Sequence, residues 1–477
     1  MSDTNSQIPL FVDLDGTLIK TDLLFESLFL LLKRNLLLLF LIPIWLLGGR
    51  ARLKAELAQR VNIAANLLPL NPDFLEYLKS EKQKGRRLIL ISASNQQAVE
   101  QVGNEVGLFE ESIGSDKQIN LKSHAKLTHI KTLVSDGAFA YAGNSSADLP
   151  IWEQAAEVIR VNCAAALGEG LGNRTSHVFD APKPWAQQLW RAMRPHQWLK
   201  NGLLFVPLIL AHQVNDTALL LQALIGFLCF SLCASSVYLL NDLLDLEADR
   251  QHASKRERPF AAGTLPIQVG TLVAPALLAL ALLMALALPA DFLAILISYW
   301  LLTLLYSLYL KRVFLLDVVT LSVLYTTRLL AGAAAVAVLA SPWLLAFSTA
   351  IFLSLGLVKR VTEITAANND SAEAIEKLPG RAYQATQKSM LSWLGIGAGL
   401  LAVVVFALYI YAPETSVLYT SPLLLWPNCG LLLFLLWRLW RIALAGKLQD
   451  DPVLFAISDH PSQLVTALMF VVLWLAI

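Results

Sequence analysis

Two rhythms of apolar residues divide the chain. Up to residue 172, short apolar runs alternate with helical stretches: "IPLFVDLDG", a helix, "RRLILISAS", another helix, then "GAFAYAGNSSADLP". Brief apolar runs bounded by Gly, Ser, Asn and Asp read as strands, and their alternation with helices predicts an α/β domain. A polar stretch with two prolines, "NRTSHVFDAPKPWAQ" at 173–187, reads as a linker. Beyond it the apolar runs lengthen to the 20 or so residues that cross a bilayer. Nine are read: 201–213 (short), 218–240, 267–288, 291–310, 314–338, 342–358, 390–411, 419–440 and 462–477. The reading is therefore an α/β domain over 1–172, followed by an all-α transmembrane bundle over 188–477.

Composition agrees with a membrane protein. Hydrophobic residues make up 56% and charged residues 15%, and the mean hydropathy is +0.56. The net charge of +1 gives no reason to expect nucleic acid. Cys163, Cys229, Cys233 and Cys429 lack metal-site spacing, and neither a disulfide framework nor zinc is predicted. The N terminus lacks a basic region followed by an apolar core, so no cleaved signal peptide is expected. Basic residues alternate by loop. Arg250, Lys255, Arg256 and Arg258 follow the second span, Lys311 and Arg312 the fourth, Lys359, Arg360, Lys377, Arg381 and Lys388 the sixth, and Arg438, Arg441 and Lys447 the eighth. The intervening connections "HQVNDT", "LPAD", "LASP" and "APETSVLYTSP" have no Lys or Arg. Positive charge stays inside, which predicts an inner-membrane protein with its basic loops and N-terminal domain cytoplasmic. Trp185, Trp190 and Trp198 would lie along that interface.

The chemistry of the bundle centres on "VYLLNDLLDLEADRQHASKRERPF", residues 237–260. Asn241, Asp245 and Asp249 fall on one helical face with Asp242 beside them. Clustered carboxylates repel unless a cation lies between them. Oxygen-only donors suit Mg2+, which shares its coordination with phosphates. Lys255, Arg256 and Arg258 could meet the remaining phosphate charge. The plain alternative is a solvated loop after a helix end. Tyr306, Lys311 and Arg312 close another helix, and Asp317 opens the next. Arg328 lies three turns beyond Asp317 on the same face, inside an apolar run, where a charge marks a functional site or a structural ion pair with Asp317. Lys359, Arg360 and Glu363 sit at a further helix end, where snorkelling is commonplace.

These residues resemble a family. "NDLLDLEADRQHASKRERP" is similar to the Asn-x-x-x-Asp-x-x-x-Asp motif of UbiA-type intramembrane transferases, a resemblance that covers roughly 187–477 and implies nine helices around a lipid-open cavity. Most of that superfamily prenylates aromatic rings and carries a second Asp-x-x-x-Asp motif. Here "KRVFLLDVVTL" has only Asp317, with Leu321 in its partner's place. "MRPHQWLKNGLLFVP", "KRVFLLDVV", "VLYTTRLLAGA", "SLGLVKRVTEI" and "DPVLFAISDHPS" look instead like the polyprenyl-phosphate phosphoribosyltransferase subgroup. That resemblance implies Mg2+ on Asn241, Asp242, Asp245 and Asp249, phosphoribosyl pyrophosphate as donor and a polyprenyl phosphate as acceptor. Lys200, Asn201, Lys255, Arg258, Tyr306, Lys311, Asp317, Arg328, Lys359 and Arg360 would bind substrate.

"FVDLDGTLIKTD" matches the first motif of haloacid dehalogenase-like phosphatases. Asp13 and Asp15 leave an extended segment on one side, one to attack phosphorus and the other to move protons. Gly16 permits the sharp turn that follows. Ser92, a lysine in "NLKSHAKL" (Lys126 preferred to Lys122) and "GNSSAD" complete the motifs in order over residues 8–165. The resemblance implies a Rossmann-like domain with a helical cap at about 22–80 and Mg2+ on Asp13, Asp15, Asn144 and Asp148. Asn144 stands where the family usually has Asp. An amide oxygen still ligates metal without adding charge, so an active phosphatase and a slow or silent regulator both stay open. The twelve apolar residues Leu36–Leu47 are too few to span, and suit either a cap dipping into the leaflet beside Lys33 and Arg34 or a buried cap helix.

The combined reading is a bifunctional enzyme making polyprenyl-phosphoryl ribose, a cell-envelope precursor. One alternative is a UbiA-type aromatic prenyltransferase with an accessory phosphatase, and another is a transporter or scaffold with a sensor domain. Prenyl length and oligomeric state, homo-oligomer included, are not legible.

Overall fold

The computed structural model describes residues 8–116, 120–135, 137–168, 174–179, 184–252, 254–370, 382–448 and 451–477. Lys377 and Arg381, counted above among the basic loop residues, lie outside them. The chain forms two units: residues 1–193 with 238–274, and residues 194–237 with 275–477.

The first unit is built on a six-stranded sheet. Its strands are β1 (Leu10–Val12), β2 (Leu88–Asn95), β3 (Glu111–Ser115), β4 (Ala140–Gly143), β5 (Glu157–Val161) and β6 (Thr175–Phe179). They run in the order β3-β2-β1-β4-β5-β6, and every pairing is parallel. Successive side chains of a strand point to opposite faces. Leu10 and Val12 accordingly join one apolar cluster with Leu90, Ala142 and Ile159, while Phe11 joins another with Ile89, Tyr141 and Trp152. Burial on both faces explains why these strands read as continuous apolar runs. β6, inside the stretch read as a linker, is an edge strand with its middle residues exposed. The strand order reverses beside β1, and ligands of such sheets bind at the carboxyl ends there.

After β1 the chain enters the helices Leu23–Arg34, Ile42–Leu47 and Arg50–Arg60, joined by a 3-10 segment Leu36–Leu41. Leu31, Trp45, Leu53, Leu57 and Val61 form a small core of their own. Trp45 is buried, with the Arg60 guanidinium 4.8 Å above its ring. Its neighbours are not: Leu37 is 71%, Phe40 74% and Leu47 89% exposed.

The second unit is helical throughout its described residues. Among the described residues of the whole chain, seven helices are long and apolar enough to cross a membrane: Thr217–Leu244, Ile267–Ala285, Ala290–Leu308, Leu316–Ala335, Pro342–Ala366, Ala385–Ile410 and Pro422–Leu444. The chain is a multi-pass membrane protein. Two of the nine predicted spans are shorter. The first is a 3-10 helix Pro195–Phe205 followed by Val206–Leu210, where Pro195 and Pro207 withhold backbone donors. The last, His460–Ala476, has 17 residues. Leu316–Ala335 is the most enclosed of the seven, 67% buried, and it carries both Asp317 and Arg328.

Candidate active sites

In the first unit the carboxyl end of β1 opens onto a cavity of about 590 Å³, lined among others by Asp13, Asp15, Ser92, Lys126, Asn144 and Asp148. All six phosphatase-type residues named from sequence are therefore gathered. Lys126 Nζ donates to Asp13 Oδ1 at 2.7 Å and to the Tyr141 hydroxyl at 2.9 Å. Tyr141 in turn donates to Asp148 Oδ1 at 2.9 Å. The other Asp148 oxygen accepts the backbone N–H groups of Asn144 and Ser145 at 3.1 and 3.0 Å. Burial pushes the Asp13 carboxyl up to about 7, against the pull of Lys126, with Asp148 and Asp15 adding to the rise. Burial works to lower the Lys126 ammonium, but Asp13 and Asp148 raise it overall.

Asp15 accepts Ser92 Oγ at 3.1 Å, Ser94 Oγ at 2.6 Å and the Leu23 N–H at 2.8 Å. Gly16 has φ +76°, and a Cβ there would fall 2.1 Å from Asn144 Nδ2. Glycine is thus required both by backbone and by the approach of Asn144. Asp22 caps the helix Leu23–Arg34, accepting two of its first N–H groups and Gln268 Nε2. Burial, with Asp15 nearby, pushes Asp22 up to about 6. Ser94, Tyr141, Asp22 and Gln268 were not singled out from sequence. Ser94 alone had a local signal, since it lies two residues past Ser92 on one strand face.

The acidic stretch belongs to the same unit. Asn241 and Asp242 end the helix Thr217–Leu244, Asp245 precedes Leu246–Gln251 without a side-chain capping bond, and Asp249 lies within it. The helix yields at Asp245, but the i→i+4 bonds Asp245 N–H to Asn241 and Asp249 N–H to Asp245 persist at 2.9 and 2.8 Å, keeping the side chains in register. Asp242 Oδ1 and Asp249 Oδ2 converge on one atom, Arg258 Nη1, at 3.1 and 2.7 Å. Asp245 pairs with Lys33 at 3.0 Å. Lys255 is exposed on a 3-10 turn. Among the described residues no three His, Cys, Asp or Glu side chains form a metal-binding group. The two converging carboxylates nonetheless fit Mg2+, an oxygen-seeking ion that takes only one or two protein carboxylates when phosphates supply the rest.

In the second unit two cations meet one carboxylate, and a third, Arg328, lies close to one of them. Asp451 Oδ2 lies 2.8 Å from Lys200 Nζ and 3.1 Å from Lys359 Nζ, and Tyr325 donates to Oδ1 at 3.2 Å. Burial raises Asp451, but Lys359 and Lys200 hold it well below the usual carboxylate range. Burial lowers Lys200 to about 8, with Asp451 opposing, and Lys359 and Arg328 reinforcing the fall. Arg328 donates to Asn201 Oδ1 at 3.0 Å and to the Tyr299 hydroxyl at 2.9 Å, and its guanidinium lies over the Tyr299 and Tyr325 rings. Asp451 was quoted in "DPVLFAISDHPS" but not chosen as a site residue, because nothing local distinguishes it from a surface acid.

A separate, fully enclosed group holds Asp317. Its partner is Arg360, Nε to Oδ2 at 2.8 Å, both side chains 0% exposed, and Tyr383 donates to Oδ1. Arg360 also bonds Glu363 and, at 3.4 Å, the Tyr306 hydroxyl. Lys311 sits on the half-buried turn after Tyr306.

The family matches divide the chain by sequence rather than by contact, the acidic stretch at 238–260 falling within the membrane family's match although it packs in the first unit. The UbiA prenyltransferase family model matches residues 203–460, and that of haloacid dehalogenase-like hydrolases matches residues 10–153. The chain belongs to the UbiA prenyltransferase family and carries a haloacid dehalogenase-like domain at its N terminus. It is 36% identical over 477 residues to the uncharacterized protein y4nM of Sinorhizobium fredii, covering 97% of this chain and 90% of that one. It is 35% identical over 290 residues to nodulation protein NoeC of Azorhizobium caulinodans, covering 59% and 92%. Over 187 residues it is 36% identical to the decaprenyl-phosphate phosphoribosyltransferase of Corynebacterium glutamicum, covering 38% of this chain and 56% of that protein.

Proposed function

We propose that the membrane domain transfers 5-phosphoribose from phosphoribosyl pyrophosphate to a polyprenyl phosphate, and that the N-terminal domain then removes the 5-phosphate. The observation that carries this reading is the state of Asp317. An aromatic prenyltransferase of this family would use a second acidic motif toward its diphosphate. Here the sole acid of that place is enclosed between Arg360 and Tyr383. Lys200, Lys359 and Arg328 instead form a cationic cluster, which suits two phosphorylated substrates. The similarity to decaprenyl-phosphate phosphoribosyltransferases points the same way.

The acceptor is already an anion, so its oxygen needs positioning and charge neutralisation more than a base. It attacks C1 of the ribose as pyrophosphate leaves. Asn241, Asp242, Asp245 and Asp249 would hold Mg2+, which supplies charge neutralisation to the leaving pyrophosphate. Lys255 and Arg258 would receive donor phosphates beside the acidic stretch. In the second unit Lys311, Tyr306 and Asn201 are the substrate-binding candidates, and Arg360 and Asp317 fix Tyr306 and the helix start.

In the N-terminal domain Asp13 attacks phosphorus and Asp15 protonates the departing ribose oxygen. Asp15 then takes the proton of the water that hydrolyses the aspartyl phosphate. Ser92 and Lys126 neutralise the phosphate, and Asp13, Asp15, Asn144 and Asp148 would hold a second Mg2+. A lipid-linked substrate suits the exposed Leu37, Phe40 and Leu47, which we read as dipping into the cytoplasmic leaflet of the inner membrane. The short segment Pro195–Leu210 and the helix His460–Ala476 would complete a bundle of nine. The test is donor choice. Label should pass from phosphoribosyl pyrophosphate into polyprenyl phosphate, and no prenyl group should pass from a polyprenyl diphosphate to an aromatic acid. The reverse result overturns the proposal.

A further inference from the structure

One helix of the first unit touches both of its candidate sites. At its start Leu23 donates to Asp15, and Leu24 and Phe25 line the phosphatase-type cavity. At its end Lys33 pairs with Asp245 of the acidic stretch at 3.0 Å. Between them Glu26 accepts both terminal nitrogens of Arg250, at 3.2 and 2.5 Å, and the Thr21 hydroxyl at 2.7 Å.

These ties differ in strength. Arg250 and Glu26 are 6% and 5% exposed, so breaking that pair would leave an uncompensated buried charge. Lys33 and Asp245 are 26% and 28% exposed, open to water and easily exchanged. The helix is thus held by a buried pair at Glu26 and by an exchangeable one at Lys33, with Arg34 also donating to the Arg60 carbonyl at 3.0 Å. A lysine ammonium and a divalent ion compete for the same carboxylate oxygens, because both are attracted by the same negative charge.

We propose that Lys33 is a place-holding cation which the N-terminal domain contributes to the acidic motif. It neutralises Asp245 while no divalent ion is present, and a divalent ion displaces it. This rests on the reading that the acidic stretch binds a divalent ion. Displacement removes the Lys33 tie and so loosens the last turn of Leu23–Arg34, which keeps its Arg34 bond to Arg60, while the turn at Glu26 stays anchored; metal loading of one site is thus felt by the helix that walls the other.

The experiment uses the full chain in detergent with Mn2+ as probe, following free ion by electron paramagnetic resonance, in an Asp148→Asn background that weakens the phosphatase-type site. Lys33→Met should tighten Mn2+ binding by up to about fivefold, the worth of a half-exposed ion pair. An unchanged or weaker affinity overturns the role of Lys33. Asp245→Asn is the control. If it leaves the isotherm unmoved, the divalent-ion reading falls and the proposal with it. A second readout is amide hydrogen exchange with and without Mg2+. Mg2+ should speed exchange in the last turn of Leu23–Arg34 but not at its Arg250-anchored start, and should do neither in Asp245→Asn. Equal exchange with and without Mg2+ contradicts displacement.

Discussion

Replacing Asp451 with Asn keeps the side chain's shape and an acceptor for Tyr325 but removes the charge between Lys200 and Lys359. Asp451 is 9% exposed and lies 2.8 and 3.1 Å from the two ammonium groups. Lys200 already stands at about 8 through burial, and Asp451 is the group that keeps it from falling further. An opposite charge in contact is commonly worth about 1–3 pKa units. Losing it would lower Lys200 further, shifting the lysine toward its neutral form near neutral pH. The sign is set: a depressed lysine regains its charge as pH falls, so the loss is greatest at alkaline pH and is recovered toward pH 5.5. For phosphoribosyl transfer, KM for a phosphorylated substrate should rise about tenfold at pH 7.5 and return near native at low pH. Stability should also fall, because removing one member of a buried pair costs about 3–5 kcal/mol. All four cysteines are buried, so a thiol-reactive dye reports unfolding. A pH profile that keeps its native alkaline limb would refute the argument that Asp451 holds Lys200 charged.

Three further changes probe other parts of the molecule. Gly16→Ala should abolish hydrolysis of a phosphate monoester, at least a hundredfold by turnover assay, while lipid labelling continues, since its Cβ would meet Asn144 Nδ2 at 2.1 Å at a positive φ. Asp22→Asn should raise the thermal midpoint at pH 7.5 but not at pH 4. The folded carboxyl at about 6 lies above its ordinary value, so its ionisation weakens the fold as pH rises through that window, and Asn still caps the helix. Arg360→Leu should destabilise by about 3–5 kcal/mol by stranding Asp317, and Asp317→Leu in the same chain should restore much of the loss in dye-monitored unfolding.

Local signals were legible in the sequence and long-range ones were not. "FVDLDGT" announces a strand, a turn and two carboxylates within seven residues, and its partners Ser92 and Asn144 lie on or just past strands where apolar runs stop, with Lys126 on the helix His124–Val134. Asn241, Asp245 and Asp249 were readable as one helical face with Asp242 beside it, whereas the pair that meets Arg258 is Asp242 and Asp249. That meeting required the chain to turn back through Lys255–Glu257, which no periodicity encodes. Asp451 and Lys33 were opaque for the same reason: each looks like an ordinary surface charge until the fold brings it to Lys200 or to Asp245. Of the nine runs read as spans, seven are long apolar helices, and the first differs because apolarity and helicity part there. Residues 201–213 are apolar, but Gly202 and Pro207, with Pro195 before them, favour a 3-10 path over a continuous α-helix. Asp317 misled differently, since a buried acid at a helix start reads equally as ligand or as ion-pair partner until Arg360 is seen against it.

The most direct test of the account is the mass of the lipid product. Purified protein with Mg2+, polyprenyl phosphate and labelled phosphoribosyl pyrophosphate should yield a lipid heavier by one ribose, without its 5-phosphate. Asp13→Asn should stop at the lipid heavier by phosphoribose. A labelled lipid that keeps its 5-phosphate in the unaltered protein would contradict the assignment of the N-terminal domain, and no labelled lipid at all would contradict the assignment of the membrane domain.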